Sequence, residues 1–230
     1  MTDHATIPRP VIRRMPQYLR HAEALERQGV ETVSSAELGA AIGSTAAQVR
    51  KDLACFGQLG RRGVGYVVRD LARELRSLLS LDRPWRVALV GAGNIGRALC
   101  TYRTFRERGF RIAALFDSDP FKDGCTWGGL KVQPMRDLRR TVRALGIDLG
   151  IIAVPPAAAQ GVADQLVAAG LRGILNFAPA RIRVPPGVRV RYADFAVEIE
   201  QLAFLITGLP PGPRPADEEE PAVGQDGSAE

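Results

Sequence analysis

Residues 87 to 99 read Val-Ala-Leu-Val-Gly-Ala-Gly-Asn-Ile-Gly-Arg-Ala-Leu, an apolar strand that turns through three glycines into a helix. That spacing suits a pyrophosphate. Gly91 allows the tight turn, Gly93 lets backbone approach the anion, and Gly96 lets the helix pack on the strand while its N-terminus faces the charge. Ala92, Asn94 and Ile95 complete the loop. A glycine pattern alone is weak evidence. Here a strand precedes it, a helix follows it, and Asp117 closes the next apolar run about twenty residues further on, the offset of a dinucleotide-binding fingerprint.

The chain carries little with which to use a nicotinamide chemically. Hydride transfer needs a positioned acid or base for the accompanying proton, most often His, Lys, Tyr or a carboxylate. The two histidines, His4 and His21, lie far upstream of the glycine loop, and none of Tyr18, Tyr66, Tyr102 and Tyr192 has a lysine four residues later. Asp194 and Lys122 remain as candidate acid and base, so catalysis is disfavoured without being excluded, and no catalytic residue is assigned.

Composition narrows the class. The chain has 230 residues, 46% hydrophobic, enough for one good core and a smaller one. No apolar run is long enough to cross a bilayer and the N-terminus lacks a secretory pattern, so a soluble, cytoplasmic protein without a membrane partner is expected. Cys55, Cys100 and Cys125 share no metal-like spacing and predict neither a disulfide framework nor a metal site. The net charge is +6, but residues 209–230 carry one arginine against six acids, which leaves +11 on residues 1–208. A basic body points to a polyanionic partner.

These sites need a scaffold. Four segments are expected: a DNA-binding head over residues 1–83, a dinucleotide-binding body over 84–193, a helix over 194–208, and a disordered, proline-rich acidic tail over 209–230. In the head, Val11, Ile12, Met15, Leu19, Ala22 and Leu25 recur at helical spacing, with Pro16 expected to kink that helix or mark an early first turn. Ser34 to Glu37 and Thr45 to Gln48 each offer a capping box, opening two short helices on either side of Gly43. Together they predict a helix-turn-helix.

The second of these helices runs to about Phe56, with Val49, Leu53 and Phe56 inward. Thr45, Gln48, Arg50 and Lys51 then fall on the side that could meet base edges and phosphates. A glycine-rich stretch follows, Phe56 to Tyr66, carrying Arg61 and Arg62 at its tip like the wing of a winged helix, suited to phosphates or a neighbouring minor groove. The bland reading of this region is a helical domain with a solvated basic face.

In the body, strands at about 86–91, 111–117, 130–133, 149–154, 173–177 and 188–192 alternate with helices near 95–108, 135–145 and 157–170. That alternation predicts a Rossmann-type, doubly wound parallel α/β sheet. The final helix, Asp194 to Ile206, is apolar over most of its circumference in its second half. Its own sheet can bury one stripe, so a second subunit, packed or exchanged, is expected to cover the rest. Full burial within one chain is the alternative.

The run Val49-Arg50-Lys51-Asp52-Leu53, the pair Phe56-Gly57, Gly63-Val64-Gly65-Tyr66, the glycine loop and Gly173-Ile174-Leu175-Asn176-Phe177-Ala178-Pro179 together resemble the Rex family of bacterial redox-sensing repressors. The resemblance spans nearly all of residues 8–208. It implies a homodimer that binds a palindromic operator when NADH is scarce, releases it when NADH binds, and transfers no hydride. It also implies that Gly91 to Gly96 hold the pyrophosphate and that Asp117 meets the adenine ribose, favouring NAD over its 2′-phosphorylated form. Tyr102 would lie near the nicotinamide, and Asp194 and Phe195 would open an exchanged helix that reaches the partner's pocket. Two other classes stay open: an NAD-dependent oxidoreductase with an accessory head, and a CoA-binding protein of the same fold.

Overall fold

The computed structural model describes residues 7–61 and 63–208. Arg62, His4 and the acidic tail from residue 209 lie outside the described residues.

The head packs helices α1 (Arg9–Arg27), α2 (Ser35–Ala41), α3 (Ala46–Ala54) and α4 (Val68–Leu78) around a core of Met15, Tyr18, Leu19, Leu38, Val49, Leu53, Leu71 and Leu75. Two-residue strands β1 (Thr32–Val33) and β2 (Tyr66–Val67) pair antiparallel and close the base of the wing. The expected early turn at Pro16 is not there. The helix starts at Arg9 and runs through Pro16, because the buried face of Val11, Met15, Tyr18 and Leu19 outweighs the one backbone hydrogen bond that proline removes.

The first capping box is complete: Ser34 Oγ accepts the Glu37 N–H at 3.1 Å and Glu37 accepts the Ser34 N–H at 2.7 Å. The second is only half made. Thr45 Oγ1 accepts the Gln48 N–H at 3.1 Å, but the Gln48 amide turns away and donates to Asp52 Oδ1 at 2.6 Å. Asp52 is fully buried on α3, three residues after Val49 and so on the inward face. A buried carboxylate must be paired. Arg14 of α1 supplies both Nε at 2.5 Å and Nη2 at 2.8 Å, and the Tyr18 hydroxyl donates at 2.9 Å.

The body is a seven-stranded sheet in the order β5-β6-β4-β3-β7-β8-β9. Its strands are β3 (Trp85–Val90), β4 (Phe110–Asp117), β5 (Thr126–Trp127), β6 (Leu130–Pro134), β7 (Leu149–Ile152), β8 (Gly173–Asn176) and β9 (Arg189–Tyr192). All pair parallel except β5, a two-residue antiparallel edge that the sequence pattern did not reveal. Helices α5 (Asn94–Thr101), α6 (Arg103–Glu107), α7 (Leu138–Leu145) and α8 (Pro156–Ala168) connect them, and α9 (Phe195–Gly208) ends the described chain. The helix expected over 95–108 breaks at Tyr102, whose backbone is extended (ψ 99°). Just before the break the Thr101 hydroxyl bonds back to the Ala98 carbonyl at 3.1 Å, the local competition that weakens a helix end.

The Asp52 cluster gives the head a pH signature. Burial pushes the Asp52 carboxyl up, but hydrogen bonds from Arg14, Gln48 and Tyr18 more than offset it and hold it below the usual carboxylate range. A depressed carboxyl stabilises the fold above its unfolded value near 4, and that stabilisation is lost as pH falls through the folded value. Asp52→Asn should therefore destabilise the head by about 2–3 kcal/mol at pH 7. The gap from wild type should close below about pH 4, as read by thermal melts across pH.

Candidate functional site

The chain leaves β3 at Val90 and enters the loop Gly91 to Gly93 where β4 and β7 diverge on either side of β3. Such a switch point opens a crevice at the carboxyl ends of the strands. Gly91 has φ +105°, and a Cβ there would stand 2.2 Å from the Ala153 carbonyl oxygen. A Cβ on Gly96 would stand 1.9 Å from the Gly91 carbonyl oxygen. Both glycines are demanded by the fold itself. Gly93 is not: its φ is −90° and a Cβ would meet nothing within 4 Å. The space beside Gly93 opens in front of the N-terminus of α5, where unpaired N–H groups and the helix dipole favour an anion.

Gly91, Gly93, Asp117, Lys122, Val154 and Pro155 line one cleft of about 630 Å³. Asp117 stands at the end of β4 and is already engaged. Its Oδ2 accepts the Ala92 N–H at 2.7 Å and Lys122 Nζ at 3.0 Å, and its Oδ1 accepts the Asp119 N–H at 2.8 Å. Burial pushes this carboxyl up, but those N–H donors and Lys122 hold it below the usual range. An ionised carboxylate offers about four lone-pair positions. Three are taken, so one acceptor on Oδ1 is left for a ligand hydroxyl. Lys122 also offsets part of the negative charge with which Asp117 would repel a second phosphate.

Three expected site residues stand apart from this cleft within one chain. Tyr102 sits at the far end of α5, half exposed, its ring edge-on to Phe105 at 5.2 Å. Asp194 caps α9, its Oδ1 accepting the Ala196 N–H at 3.1 Å. Phe195 is 64% exposed, with its ring 6.0 Å from that of Phe177. The rest of α9 has no buried residue: Ile199, Leu202, Phe204, Leu205 and Ile206 are 56–71% exposed. Among the described residues, none buries this helix within one chain.

In the head, Thr45, Ala47, Arg50 and Lys51 lie exposed along α3. Arg50 Nη1 rests on Ser35 Oγ at 2.8 Å, an exposed contact that a stronger acceptor could displace. Gln48 is half-buried and committed to Asp52, which corrects the expectation that it is free to reach bases. Arg61 is exposed and pairs with Gly65 across the wing, its N–H donating at 2.8 Å. Asp52, beside Arg50 and Lys51 in the sequence, was given no role of its own there. Its inward register with Val49 was the signal that it is buried.

Among the described residues no cluster of His, Cys, Asp or Glu could hold a metal ion, and no helix is long and apolar enough to cross a membrane. Cys55 and Cys125 are exposed and Cys100 is half-buried, all with free thiols.

Residues 82–180 match the family model of the CoA binding domain, and residues 6–54 match that of a DNA-binding protein N-terminus. Redox-sensing transcriptional repressors Rex are similar over most of the chain. The one from Desulfitobacterium hafniense is 48% identical over 87% of this chain and 95% of its own length. That from Carboxydothermus hydrogenoformans is 50% identical over 87% and 96%. Among solved structures, the Rex-family repressor RSP superposes with a TM-score of 0.81 at 33% identity, covering 88% of this chain and 94% of that one. Its complex with NAD+ and operator DNA gives 0.84 at 34% identity (88% and 93%), and its complex with NADH gives 0.79 at 32% (88% and 95%).

The two kinds of glycine differ in what they owe to the fold. Gly96→Ala should destabilise the body by about 3 kcal/mol or more, because the clash is with backbone. Gly93→Ala should stay within about 0.5 kcal/mol of wild type. Thermal melts of both variants without added nucleotide check the contrast.

Proposed function

This chain belongs to the Rex family of redox-sensing transcriptional repressors, and on that premise we propose that it is a homodimer that grips palindromic operator DNA and lets go when NADH binds. Gly93 carries the reading: it is a glycine the bare fold does not require, in the one position where a side chain would stand between the α5 N-terminus and a pyrophosphate. Gly91, Ala92, Gly93, Asn94, Ile95 and Gly96 form the cradle, and the free acceptor of Asp117 takes one ribose hydroxyl. On the head, Thr45, Arg50, Lys51 and the wing arginines Arg61 and Arg62 meet the duplex, with Gln48 serving through Asp52 unless that bond opens.

The dimer follows from α9. Burying a large apolar side chain stabilises by about 1.5–3 kcal/mol, so covering its exposed set is worth on the order of 10 kcal/mol. A second copy supplies that cover and brings its Asp194 and Phe195 to the partner's site beside Tyr102. Two-fold symmetry then matches a palindrome. The units are a head over 1–83, a body over 84–193 and the dimer helix over 194–208, acting in the cytoplasm. Binding serves regulation here, with no hydride transferred: neither Lys122, held by Asp117, nor Asp194, held at the start of α9, stands free as an acid or base. The match to a CoA binding domain reflects the shared sheet.

Leu205→Glu should give a monomer by light scattering and lose operator affinity by tenfold or more, on the order of the cost of a charge in a buried interface. The central test is fluorescence anisotropy on a duplex enriched from a random pool by the wild-type protein. NADH should release it at far lower concentration than NAD+. Gly93→Val should keep duplex binding, lose release by NADH and lose the NADH-induced rise in melting temperature. Equal release by both nucleotides, stronger stabilisation by CoA, or steady NADH turnover would overturn the reading.

A further inference from the structure

Glu23, on α1, is buried although charged. It is held from two sides: Arg76 of α4 reaches one carboxylate oxygen and Arg108 reaches the other. Arg76 belongs to the head. Arg108 belongs to the body, one residue past the end of α6. Among the described residues, Arg108 with Glu23 is the one ion pair that joins residues 7–79 to residues 85–208. The linker from Ser80 to Pro84 is itself pinned to the body: Arg83 pairs with Asp148 at 3.0 Å and the Trp85 indole donates to the Ser80 carbonyl at 2.7 Å.

The position of Arg108 gives this pair a consequence. The segment that opens at the glycine cradle as α5, breaks at Tyr102 and continues as α6 is the segment that ends at Arg108. A group seated at the α5 N-terminus and against the joint at Tyr102 acts on one end and the middle of this lever, and Arg108 moves with the other end. The pair is geometrically exacting because Glu23 is fixed by Arg76 within the head. A small swing of α6 breaks it.

Resting on the redox-repressor reading above, we propose that Arg108 is a positioning residue for the switch: its pair with Glu23 holds the head in the operator-gripping disposition, and rotation of α6 on NADH binding releases it. This chain superposes better on the operator-bound relative than on the NADH-bound one, which puts the pair, as seen here, on the gripping side. Loss of Arg108 then weakens the gripping state alone. Glu23 keeps Arg76, so its carboxylate stays paired and the head stays folded.

The experiment compares wild type, Arg108→Ala, Arg108→Lys and Arg76→Ala by duplex anisotropy under NADH titration, NADH affinity without DNA, and thermal melting. Arg108→Ala should lower the NADH concentration that releases the duplex by about threefold or more and tighten NADH binding by a similar factor, with melting temperature lowered no further than in Arg76→Ala. Arg108→Lys should return both toward wild type. Arg76→Ala should lower the melting temperature of the head without that matched shift. An unchanged NADH midpoint in Arg108→Ala, or the same shift in Arg76→Ala, would overturn the proposal. A wild-type protein that ignores NADH on the duplex would instead overturn the repressor reading itself.

Discussion

How closely a helix can lie on a strand is limited by the first carbon of its side chains. At Gly96 that carbon would stand 1.9 Å from the Gly91 carbonyl oxygen. The rest of the body inherits this contact. It fixes the N-terminus of α5 over the carboxyl end of β3, aims the free N–H groups into the crevice beside β7, and so sets where an anion can sit. It also fixes the origin of the segment that carries Tyr102 and ends at Arg108. The cradle and the link to the head are therefore two ends of one segment jointed at Tyr102.

The head is ordered by a different constraint, the cost of a buried charge. Asp52 and Glu23 are both acids on helix faces that turn inward, and each is held by donors from a second helix. Replacing such pairs by apolar residues often does no harm to stability, so their value lies in geometry. Asp52 sets the rotation of α3 against α1, because Arg14 and Tyr18 are met at only one angle. That rotation decides which side of α3 faces outward. Arg50 and Lys51 are presented to solvent as a consequence of the carboxylate that follows them, at Asp52, pointing in.

Much of this was legible in the sequence, and the misses share a cause. The glycine loop, the strands of the parallel sheet and the capping box at Ser34 are local patterns, and the structure follows them. Gln48 fitted its local pattern equally well and failed, because the buried carboxylate of Asp52 one turn further along the same helix outcompetes a neutral backbone N–H. Of the two roles open to Pro16, a kink or an early first turn, the early turn is not taken, because long-range burial overrides one lost hydrogen bond. Strand β5, only two residues long, had no periodicity to detect. The links from Asp52 to Arg14 and from Glu23 to Arg108 span 38 and 85 residues, and no local spacing encodes them. Their one signal was an acid at a position where the helical period called for an apolar side chain.

The uncovered face of α9 ties these constraints together. A single chain leaves Phe195 and the apolar side chains that follow it in water, and it leaves Tyr102, Asp194 and Phe195 apart from the cleft lined by the glycine loop, Asp117 and the start of α8. In the dimer proposed above, a second copy meets both deficits. Covering α9 would supply the free energy of association, and the same act would carry Asp194 and Phe195 toward the neighbour's cleft. Association and ligand binding would then be coupled through one helix, so a ligand that prefers one seating of α9 would also prefer one relation between the two bodies. The pair of Arg108 with Glu23, the pair of Arg83 with Asp148 and a short linker tie head to body, so each head would follow that relation and transmit it to the spacing of the two α3 helices. A looser tether would lose the signal, and a broad apolar interface between head and body would leave no second arrangement to select.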